Sequence, residues 1–336
     1  MSHKALVTGG TGFIGSHLVE KLVSKNWDVT CLVRPTSRTE FLKKLPVKLT
    51  VHEKDNLECL ERAVKGQDYV FHLAGRIRAA SRAMYDRANH QLTRNLAQAC
   101  LKKNTGLKRF VYVSSVSAAG PSLAGQYSEE NQAPSPTSDY GRTKLKGEKA
   151  TQDIWDIIPS TIIRPPNVYG PRQQETELLI KIISKRIVPI LKDRGDTTSL
   201  IYVSDLVEGI LQATFSPQAQ KQIYYLTDGK GYSWQKLILT IKKHILGDSL
   251  FFPLFEEAIY LVALLTDVVI ATGIAKIFFG RKIWHAMVRT PWLFSTSKAE
   301  KDLGFRTRYT LEEGIRETVD YYKKSRGQGP ILTKTE

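Results

Sequence analysis

Tyr140 and Lys144 lie four positions apart, and their side chains could together move a proton. If the segment around them is helical, the two side chains are neighbours on one face of the helix. A free phenol has a pKa near 10 and is a poor base at neutral pH, but a neighbouring ammonium lowers that pKa because it favours the phenolate. A decrease of about three units requires about 4 kcal/mol of differential stabilisation. A solvated helix face also presents such a pair by chance, so its meaning depends on the rest of the chain.

A glycine-rich stretch near the N-terminus predicts a site for a phosphate-bearing cofactor. An apolar run at residues 4–8 precedes the glycines, and apolar residues recur at helical spacing over residues 14–23. This order of strand, glycine turn and helix is what a dinucleotide-binding fingerprint requires. Glycines permit a tight turn and the close approach of a pyrophosphate, whose charge then faces the helix N-terminus. We assign these roles to Gly9, Gly12 and Gly15, and the alternative is a purely structural turn.

The end of the second apolar strand, residues 28–33, bears on the choice of cofactor. NAD-specific sites usually place an acidic residue after this strand to bind the ribose 2′-hydroxyl, whereas arginine accommodates a 2′-phosphate. Here Arg34 follows directly, Ser37 and Arg38 come next, and the first acidic residue is Glu40. The pattern favours NADP(H) over NAD(H). An Arg34 that only stacks on the adenine would leave the preference open.

Seven short motifs follow one another along the chain. They are Thr8-Gly-Gly-Thr-Gly-Phe-Ile-Gly15, Asp55-Asn-Leu57, His72-Leu-Ala-Gly75, Val113-Ser-Ser115, Tyr140-Gly-Arg-Thr-Lys144, Arg164-Pro-Pro-Asn-Val-Tyr-Gly170 and Tyr202-Val-Ser-Asp205. With them, the chain resembles the extended short-chain dehydrogenases/reductases, the NAD-dependent epimerase/dehydratase superfamily, over about residues 3–325. Within it, the chain resembles most the dihydroflavonol-reductase and 3β-hydroxysteroid-dehydrogenase branches.

The resemblance implies a catalytic triad. Tyr140 would be the acid/base, and Lys144 would lower the pKa of Tyr140 and hydrogen-bond the nicotinamide ribose. Ser115 would hold the substrate oxygen, because it lies five residues before Gly120 as the family's catalytic Ser or Thr does. Ser114 is the adjacent rival.

The resemblance also implies the cofactor contacts. Asp55 and Leu57 would flank the adenine, and the backbone of Ala74 and Gly75 would pass along the cofactor. Two further residues have structural roles: Asn89 ties helix to sheet, and His72 is a strand-end residue rather than a catalyst. The implied cofactor-binding set is Gly9, Thr11, Gly12, Phe13, Ile14, Gly15, Arg34, Ser37, Arg38, Asp55, Asn56, Leu57, Leu73, Ala74, Gly75, Tyr140, Lys144 and Pro165.

The substrate class is less well defined. The resemblance implies substrate contacts at Ser117, Asn167 and Arg172. Sugar-nucleotide enzymes of this family usually carry an arginine seven residues before the Asp of the last motif, and here that position is Thr198. A hydroxyl cannot replace a bidentate guanidinium. This difference counts against a nucleotide-diphosphate sugar, although Arg194 on the same loop is a substitute donor.

The segment 250–292 is rich in apolar residues. Charged residues interrupt it, so no uninterrupted run reaches the length of a bilayer span. Three interpretations stay open: lobe core or dimer contact, a wall for an apolar substrate, or an interfacial helix in contact with lipid.

These features together predict a reversible hydride transfer between NADP(H), with NAD(H) as the alternative, and a secondary alcohol or ketone on a largely apolar small molecule. The first alternative is a sugar-nucleotide or sugar-phosphate epimerase/dehydratase with tightly bound NAD. The second is a pseudo-enzyme that uses the fold as a sensor or assembly subunit. The resemblance also implies a homodimer.

Composition fits a cytoplasmic enzyme. Three cysteines lie in apolar patterns without disulfide density or metal-ligand spacing, which indicates a reducing compartment and no metal site. We expect no signal peptide, because the first strand begins at residue 4. The net charge of +16 comes with scattered lysines and no recognition module, so we expect no nucleic-acid partner. A basic solvated surface and peripheral membrane contact are the remaining explanations.

The elements that position these residues predict an α/β fold. Apolar runs at 49–52, 69–73, 110–113 and 161–164 read as buried strands, and helices between them would cover both faces of a doubly wound parallel (Rossmann) sheet. A further strand at 223–227 would return to this sheet. We assign residues 1–166 and 201–228 to the dinucleotide-binding domain, 167–200 and 229–325 to a smaller discontinuous substrate lobe, and 326–336 to a flexible tail. The long loop at 120–138, before Tyr140, is a candidate lid.

Overall fold

The computed structural model describes residues 2–53, 56–184, 187–191, 195, 197–245, 250–254 and 290–326. A seven-stranded sheet dominates this part of the chain, with the order β10-β6-β5-β4-β1-β2-β3 and parallel pairing throughout. Its strands are β1 (Lys4–Thr8), β2 (Asp28–Val33), β3 (Lys48–Val51), β4 (Tyr69–His72), β5 (Arg109–Val113), β6 (Ser160–Arg164) and β10 (Gln222–Tyr225).

Helices connect these strands and cover both faces of the sheet. A π-helical turn, Arg87–Gln91, interrupts the helical segment 82–103. The described helices are α1 (Phe13–Ser24), α2 (Leu57–Val64), α3 (Arg82–Asp86), α4 (Leu92–Lys103), α5 (Val116–Ala119), α6 (Asp139–Gln152), α7 (Gln174–Ile183), α8 (Val203–Phe215), α9 (Trp234–Lys243), α10 (Ser297–Leu303) and α11 (Leu311–Arg326).

The core consists of two main layers, one on each face of the sheet. On one face, Leu18 of α1 and Ile210 of α8 pack on apolar strand residues. On the other face, Leu60 of α2 and Leu96 of α4 pack on the opposite side chains of the same strands. Burial on both faces explains why these strands read as continuous apolar runs. The predicted doubly wound α/β fold is confirmed.

One predicted strand differs from expectation. Residues 49–52 were predicted as a buried strand, but β3 lies at the edge of the sheet and pairs only with β2 among the described strands. Val51 is 54% exposed. An edge strand lacks a neighbour on one side, so its short apolar run is not buried. The predicted late strand at 223–227 is confirmed as β10, which pairs with β6.

Smaller sheets lie outside the main one. They comprise β7 (Asn167–Tyr169), β9 (Thr198–Tyr202) and β11 (Gly231–Tyr232) in one sheet, and β8 (Ile187–Leu191) and β12 (Leu250–Leu254) in another. The predicted boundary between residues 200 and 201 falls inside β9. The division into two domains stays a prediction.

The loop at 120–138 is bonded to distant parts of the chain. The backbone N–H groups of Ser122 and Ser128 donate to Pro291 O at 3.0 Å and Leu293 O at 2.9 Å. Glu130 accepts a hydrogen bond of 2.7 Å from the Tyr225 N–H of β10. These bonds would have to break if the whole loop moved as a lid.

Several predictions concern residues outside the described part. Residues 255–289, which hold most of the apolar segment, and residues 327–336 of the predicted tail lie there. Among the described residues, no helix combines the length and the apolar character needed to cross a bilayer. Cys31, Cys59 and Cys100 are buried free thiols.

Candidate active site

The glycine loop after β1 is closed by contacts that leave no room for side chains at two of its positions. Gly9 has φ +75°, and a Cβ there would lie 2.7 Å from Ala74 N. A Cβ on Gly15 would lie 2.1 Å from Gly9 O. At Gly12, which is exposed, the same addition would meet Gly9 O alone, in a tight contact of 3.2 Å. Gly9 and Gly15 therefore close the turn, whereas Gly12 lies on the exposed outer surface of the turn.

The helix that follows this loop offers an anion site. No side chain caps the N-terminus of α1, and its first turn holds no acidic residue. The first N–H groups of a helix need acceptors, and the helix dipole favours a negative charge there. A pyrophosphate next to Gly12 would satisfy both conditions. The residues present fit the phosphate part of a dinucleotide.

The ends of β2 and α2 hold the residues predicted for the adenosine half. Arg34 is exposed directly after β2, and its backbone N–H donates to Ser37 Oγ at 3.0 Å. Asn56 caps α2 by accepting from Cys59 N at 2.9 Å, and the adjacent Leu57 is 51% exposed. Asp55 lies outside the described residues, and Arg38 is exposed four residues after Arg34.

The loop after β4 connects the glycine loop to the predicted catalytic residues. The Ala74 N–H donates to Thr8 Oγ1 at 3.2 Å. A Cβ on Gly75 would lie 2.8 Å from Asn89 Oδ1 and 3.8 Å from Lys144 Nζ. The backbone predicted to pass along the cofactor therefore also passes Lys144.

Helix α6 carries Tyr140 and Lys144, as predicted. Ser138 caps this helix by accepting from Gly141 N at 3.0 Å, and Asp139 adds a negative charge in the first turn. A Cβ on Gly141 would lie 2.1 Å from Ser117 O, so the glycine lets α6 approach α5 closely. This approach brings Tyr140 to the Ser115 side chain.

The Ser115 side chain lies close enough to the Tyr140 phenol to lower the pKa of that phenol. Removal of the phenol from water raises the pKa of Tyr140 to about 12, although the Ser115 side chain acts in the opposite direction. Desolvation is the largest cause of the shift, and Lys144 is not among the groups that change this pKa here. The predicted effect of Lys144 on Tyr140 stays a prediction. The phenol is protonated at neutral pH and can act as a proton donor.

Lys144 is buried against β5. Its Nζ donates to Val113 O at 2.7 Å and lies 4.4 Å from the centroid of the Tyr112 ring. Burial lowers the pKa of Lys144 to about 7, and the carboxylate of Glu148 opposes that decrease.

Ser114 and Ser115 have different partners. Ser114 Oγ donates to Glu148 Oε1 at 2.5 Å, deep in the protein. Ser115 caps α5 by accepting from Ser117 N at 3.1 Å and reaches Tyr140. Of the two, Ser115 lies with the phenol.

Family comparison adds a conclusion that geometry alone does not give. Residues 5–226, well over half of the chain, match the family described as "NAD dependent epimerase/dehydratase family". The chain belongs to this family. It is an enzyme of the extended short-chain dehydrogenase/reductase type that uses a nicotinamide cofactor, as the motifs predicted.

Individual relatives differ in the activities that they are named for. The chain is 28% identical over 322 residues to "Ceramide reductase" of Caulobacter vibrioides, covering 94% of this chain and 93% of that protein. It is 26% identical over 351 residues to "UDP-glucose 4-epimerase" of Vibrio cholerae, covering 96% of each. The structure of UDP-glucuronic acid 4-epimerase from Bacillus cereus in complex with NAD superposes with a TM-score of 0.73 at 23% identity, covering 96% of this chain and 99% of that one, which shows a shared fold.

Two residues predicted to be structural in this family member are engaged as expected. His72 is fully buried between Thr8 Oγ1 at 2.6 Å and Thr93 Oγ1 at 2.9 Å, and burial lowers its pKa to about 3. Asn89 Nδ2 donates to Arg76 O at 3.0 Å and Thr143 Oγ1 at 3.1 Å, so it ties the loop after β4 to α6.

Predicted substrate residues lie in different surroundings. Ser117 is half-buried on α5, and its carbonyl oxygen packs against Gly141 of α6, the helix that carries Tyr140. Asn167 is exposed at the start of β7, and its Nδ2 donates to Thr198 Oγ1 at 2.9 Å. The Arg172 guanidinium pairs with Glu20 of α1, so the structure does not bring it to Tyr140. These roles stay predictions.

Other predicted cofactor residues fall at the same edge of the sheet. Val116 N donates to Pro165 O at 3.1 Å, which places Pro165 next to α5. Leu73 N donates to Thr8 O at 3.1 Å. Thr11, Phe13 and Ile14 belong to the glycine loop and the first turn of α1.

Sequence reasoning missed a buried ion pair behind the triad. Arg164 Nη2 donates to Glu148 Oε2 at 2.6 Å, and Nε donates to Oε1 at 2.9 Å. Glu148 lies four residues after Lys144, so helical spacing could have placed it on the same face. Its partner on β6 could not be found in this way.

Proposed function

We propose that this enzyme transfers a hydride reversibly between NADP(H) and a secondary alcohol or ketone on a largely apolar substrate. The observation that carries the proposal is the close packing of α6 on α5, which brings the Tyr140 phenol to the Ser115 side chain beside the buried Lys144. These residues follow β5 or face its carboxyl end, and ligands of open α/β sheets bind outside the carboxyl ends of the strands.

Each triad member has a distinct role in reduction. Tyr140 donates its phenolic proton to the substrate oxygen, and its raised pKa keeps that proton available at neutral pH. Ser115 hydrogen-bonds the same oxygen as negative charge develops on it. Lys144 stabilises the phenolate left behind. A bound nicotinamide supplies or accepts the hydride.

The preference for NADP(H) rests on the end of β2. Arg34 is exposed there, and the described residues from Arg34 to Thr39 include no acidic side chain for a ribose 2′-hydroxyl. A guanidinium at this position can bind a 2′-phosphate.

Two observations support an apolar substrate. Thr198 is 3% exposed and accepts the Asn167 amide, so this position offers no cation for a diphosphate. The Caulobacter relative that matches 94% of this chain is named for ceramide, a lipid. We therefore include ceramide-type ketones among the first compounds to be tested.

The decisive experiment replaces the proton donor. Tyr140→Phe should reduce ketone-dependent NADPH oxidation roughly 10²- to 10⁴-fold, the usual contribution of a general acid, while the Kd for NADPH changes little. Tyr321→Phe, a change to a partly exposed tyrosine of α11, is the matched control and should retain full turnover. Undiminished turnover in Tyr140→Phe would reject the assignment.

Cofactor choice has its own test. Arg34→Asp should reverse the preference, lowering the NADPH/NADH ratio of kcat/KM by at least about 10-fold, since one charge-assisted contact contributes about 1.5–3 kcal/mol. Arg316→Asp on α11 makes the same charge change on a different element and should leave the ratio unchanged. An unchanged ratio in Arg34→Asp would mean that this arginine does not bind the 2′-phosphate.

An epimerase with tightly bound NAD is the second candidate function. The Vibrio relative matches 96% of the chain and is named for UDP-glucose epimerisation, and Asn167 is exposed where the resemblance implies a sugar-nucleotide contact. Purified protein that carries NAD, fails to bind NADPH and interconverts UDP-sugars without net redox change would favour this function.

Assembly and location remain predictions that are simple to test. Light scattering of the purified protein distinguishes the expected homodimer from a monomer. Sedimentation with anionic vesicles at low and high salt tests peripheral membrane contact, which the net charge of +16 would strengthen at low salt.

A further inference from the structure

Arg164, Glu148 and Ser114 form a buried hydrogen-bonded cluster, called the clamp below, near the proposed catalytic Lys144. Arg164 on β6 holds the Glu148 carboxylate with two hydrogen bonds of 2.6 and 2.9 Å, and Ser114 donates a third of 2.5 Å. Arg164 and Glu148 are each 1% exposed. Arg164 Nη1 also donates to the Tyr225 hydroxyl of β10 at 3.2 Å. The carboxylate is therefore fixed by three strands or strand ends, and its position does not depend on solvent.

Close packing of α6 buries this carboxylate and Lys144 on the same side of the helix. The two residues lie four positions apart, so they share a face of the helix. A Cβ on Gly147 would lie 2.4 Å from the Tyr112 hydroxyl and 2.5 Å from Asn89 O, so only glycine permits the helix to approach β5 this closely. The approach presses Lys144 and Glu148 into the protein together.

Other titratable groups around Lys144 are uncharged at neutral pH. His72 has its pKa lowered to about 3 by burial, and Lys144 contributes to that decrease. Burial raises the pKa of Tyr112, under the ammonium, well above its usual value. Tyr140 is protonated as well. Of this set, the charged neighbours are Glu148 and its partner Arg164, and it is the carboxylate that raises the pKa of Lys144.

Without this carboxylate, a smaller fraction of Lys144 would be charged at neutral pH, because burial already lowers the pKa of Lys144 to about 7. An ammonium that is 3% exposed pays a large desolvation cost and tends to deprotonate. A lone carboxylate at position 148 would itself be costly, and the bidentate guanidinium removes that cost. The clamp thus fixes the negatively charged Glu148 carboxylate, whose oxygens accept hydrogen bonds from Arg164 and Ser114.

We propose that Glu148, fixed by Arg164 and Ser114, is a positioning residue that favours the ammonium form of Lys144, whose Nζ donates to Val113 O. It acts through Lys144 and touches neither cofactor nor substrate. The inference rests on the proposed function for its role in turnover, but the charge state of Lys144 can be measured without turnover.

The test follows the titration of Lys144 by NMR in cofactor-free protein labelled with [ε-¹³C]lysine. Loss of one signal in Lys144→Arg assigns the resonance. Glu148→Gln should lower the titration midpoint by roughly one to two pH units, the effect of removing a charge one helical turn away at an intermediate dielectric. Glu148→Asp retains the charge and should keep most of the wild-type midpoint.

Two further variants keep the result interpretable. Asp139→Asn removes a half-exposed carboxylate from the same helix and should leave the midpoint unchanged. If Glu148→Gln does not fold because Arg164 is unpaired, Glu148→Gln/Arg164→Met leaves no buried charge of the pair and should again lower the midpoint. A wild-type midpoint in the folded Glu148 variant, single or double, overturns the proposal.

Turnover then separates this inference from the proposed function. If the inference and the proposed function are both correct, the rate of ketone reduction in Glu148→Gln should begin to fall at a lower pH than in wild type. The decrease in that pH should about equal the shift seen by NMR, because Lys144 loses its proton at lower pH. A shifted midpoint in a protein that reduces no ketone would retain the clamp and reject the function. A shifted midpoint with an unmoved limb would overturn the clamp's role in turnover.

Discussion

A methyl group added to the glycine loop should have opposite consequences at Gly12 and Gly15. At Gly15 the new Cβ would lie 2.1 Å from Gly9 O and 2.8 Å from Gly9 C, both backbone atoms of a turn that cannot easily move. At Gly12 the backbone has φ −83° and ψ 174°, values that any residue adopts, and the single close neighbour is Gly9 O at 3.2 Å. Gly15→Ala therefore strains the folded protein severely, whereas Gly12→Ala introduces one tight contact that a small shift can relieve.

The magnitudes follow from these contacts. Overpacking at Gly15 should cost about 1–3 kcal/mol of unfolding free energy or more. At Gly12, a less flexible unfolded chain contributes about 0.4–1 kcal/mol and offsets the tight contact, so stability should change by less than about 1 kcal/mol. The methyl group would instead displace a pyrophosphate from the N-terminus of α1. Losing one charge-assisted hydrogen bond of about 1.5–3 kcal/mol weakens binding roughly 10- to 100-fold.

Two measurements on each variant separate these effects. Urea denaturation gives the unfolding free energy without cofactor, and fluorescence titration gives the Kd for NADPH. Gly106→Ala, where a Cβ would meet nothing within 4 Å, is the control: it should bind NADPH as wild type does and gain about 0.4–1 kcal/mol of stability from a less flexible unfolded chain. Wild-type NADPH affinity in Gly12→Ala would refute the assignment of the phosphate site. Unchanged stability in Gly15→Ala would refute the packing argument.

Three further predictions concern single side chains. Ser115→Ala should lower kcat roughly 10²-fold or more by removing an oxyanion donor. Ser114→Ala should mainly lower stability, by about 1–3 kcal/mol, because Glu148 loses a buried donor. Kinetics and urea denaturation on both variants distinguish the two serines, and the reverse pattern would exchange their roles. His72 has a folded-state pKa near 3, below its unfolded value of about 6.5, so the unfolding free energy should fall by about 2 kcal/mol between pH 7 and 5. His72→Asn should flatten this pH dependence of stability, as measured by urea denaturation. An equal slope in the variant would contradict the role of His72. Asn167→Ala should raise KM with little change in melting temperature, because the side chain is exposed apart from one bond to Thr198; an unchanged KM would remove it from the substrate site.

Much of the fold could be predicted from local sequence patterns. Strand, glycine turn and helix at residues 4–24, the apolar runs that became β4, β5 and β6, and the late strand β10 all appeared as expected. Each rests on side-chain period or on glycine's conformational freedom, which are properties of a few neighbouring residues. The edge position of β3 was missed because an apolar run does not reveal how many neighbours its strand will have.

The candidate site divides in a similar way. Helical spacing alone placed Tyr140 beside Lys144 on α6. It could not give the direction of the Tyr140 pKa, because that depends on how much water the fold removes from the phenol. Nor could it show that Arg172 pairs with Glu20, a residue 152 positions away.

For this protein, the sequence by itself determined the family, the order of elements and the pair of residues most suited to proton transfer. Only the tertiary structure decided which serine meets the phenol and which carboxylate stands behind the lysine. Ser114 and Glu148 are 34 positions apart, and Glu148 and Arg164 are 16 apart on different elements. Desolvation and hydrogen-bond partners are set by whatever distant chain packs against a group, and that information exists only once the sheet and helices have assembled.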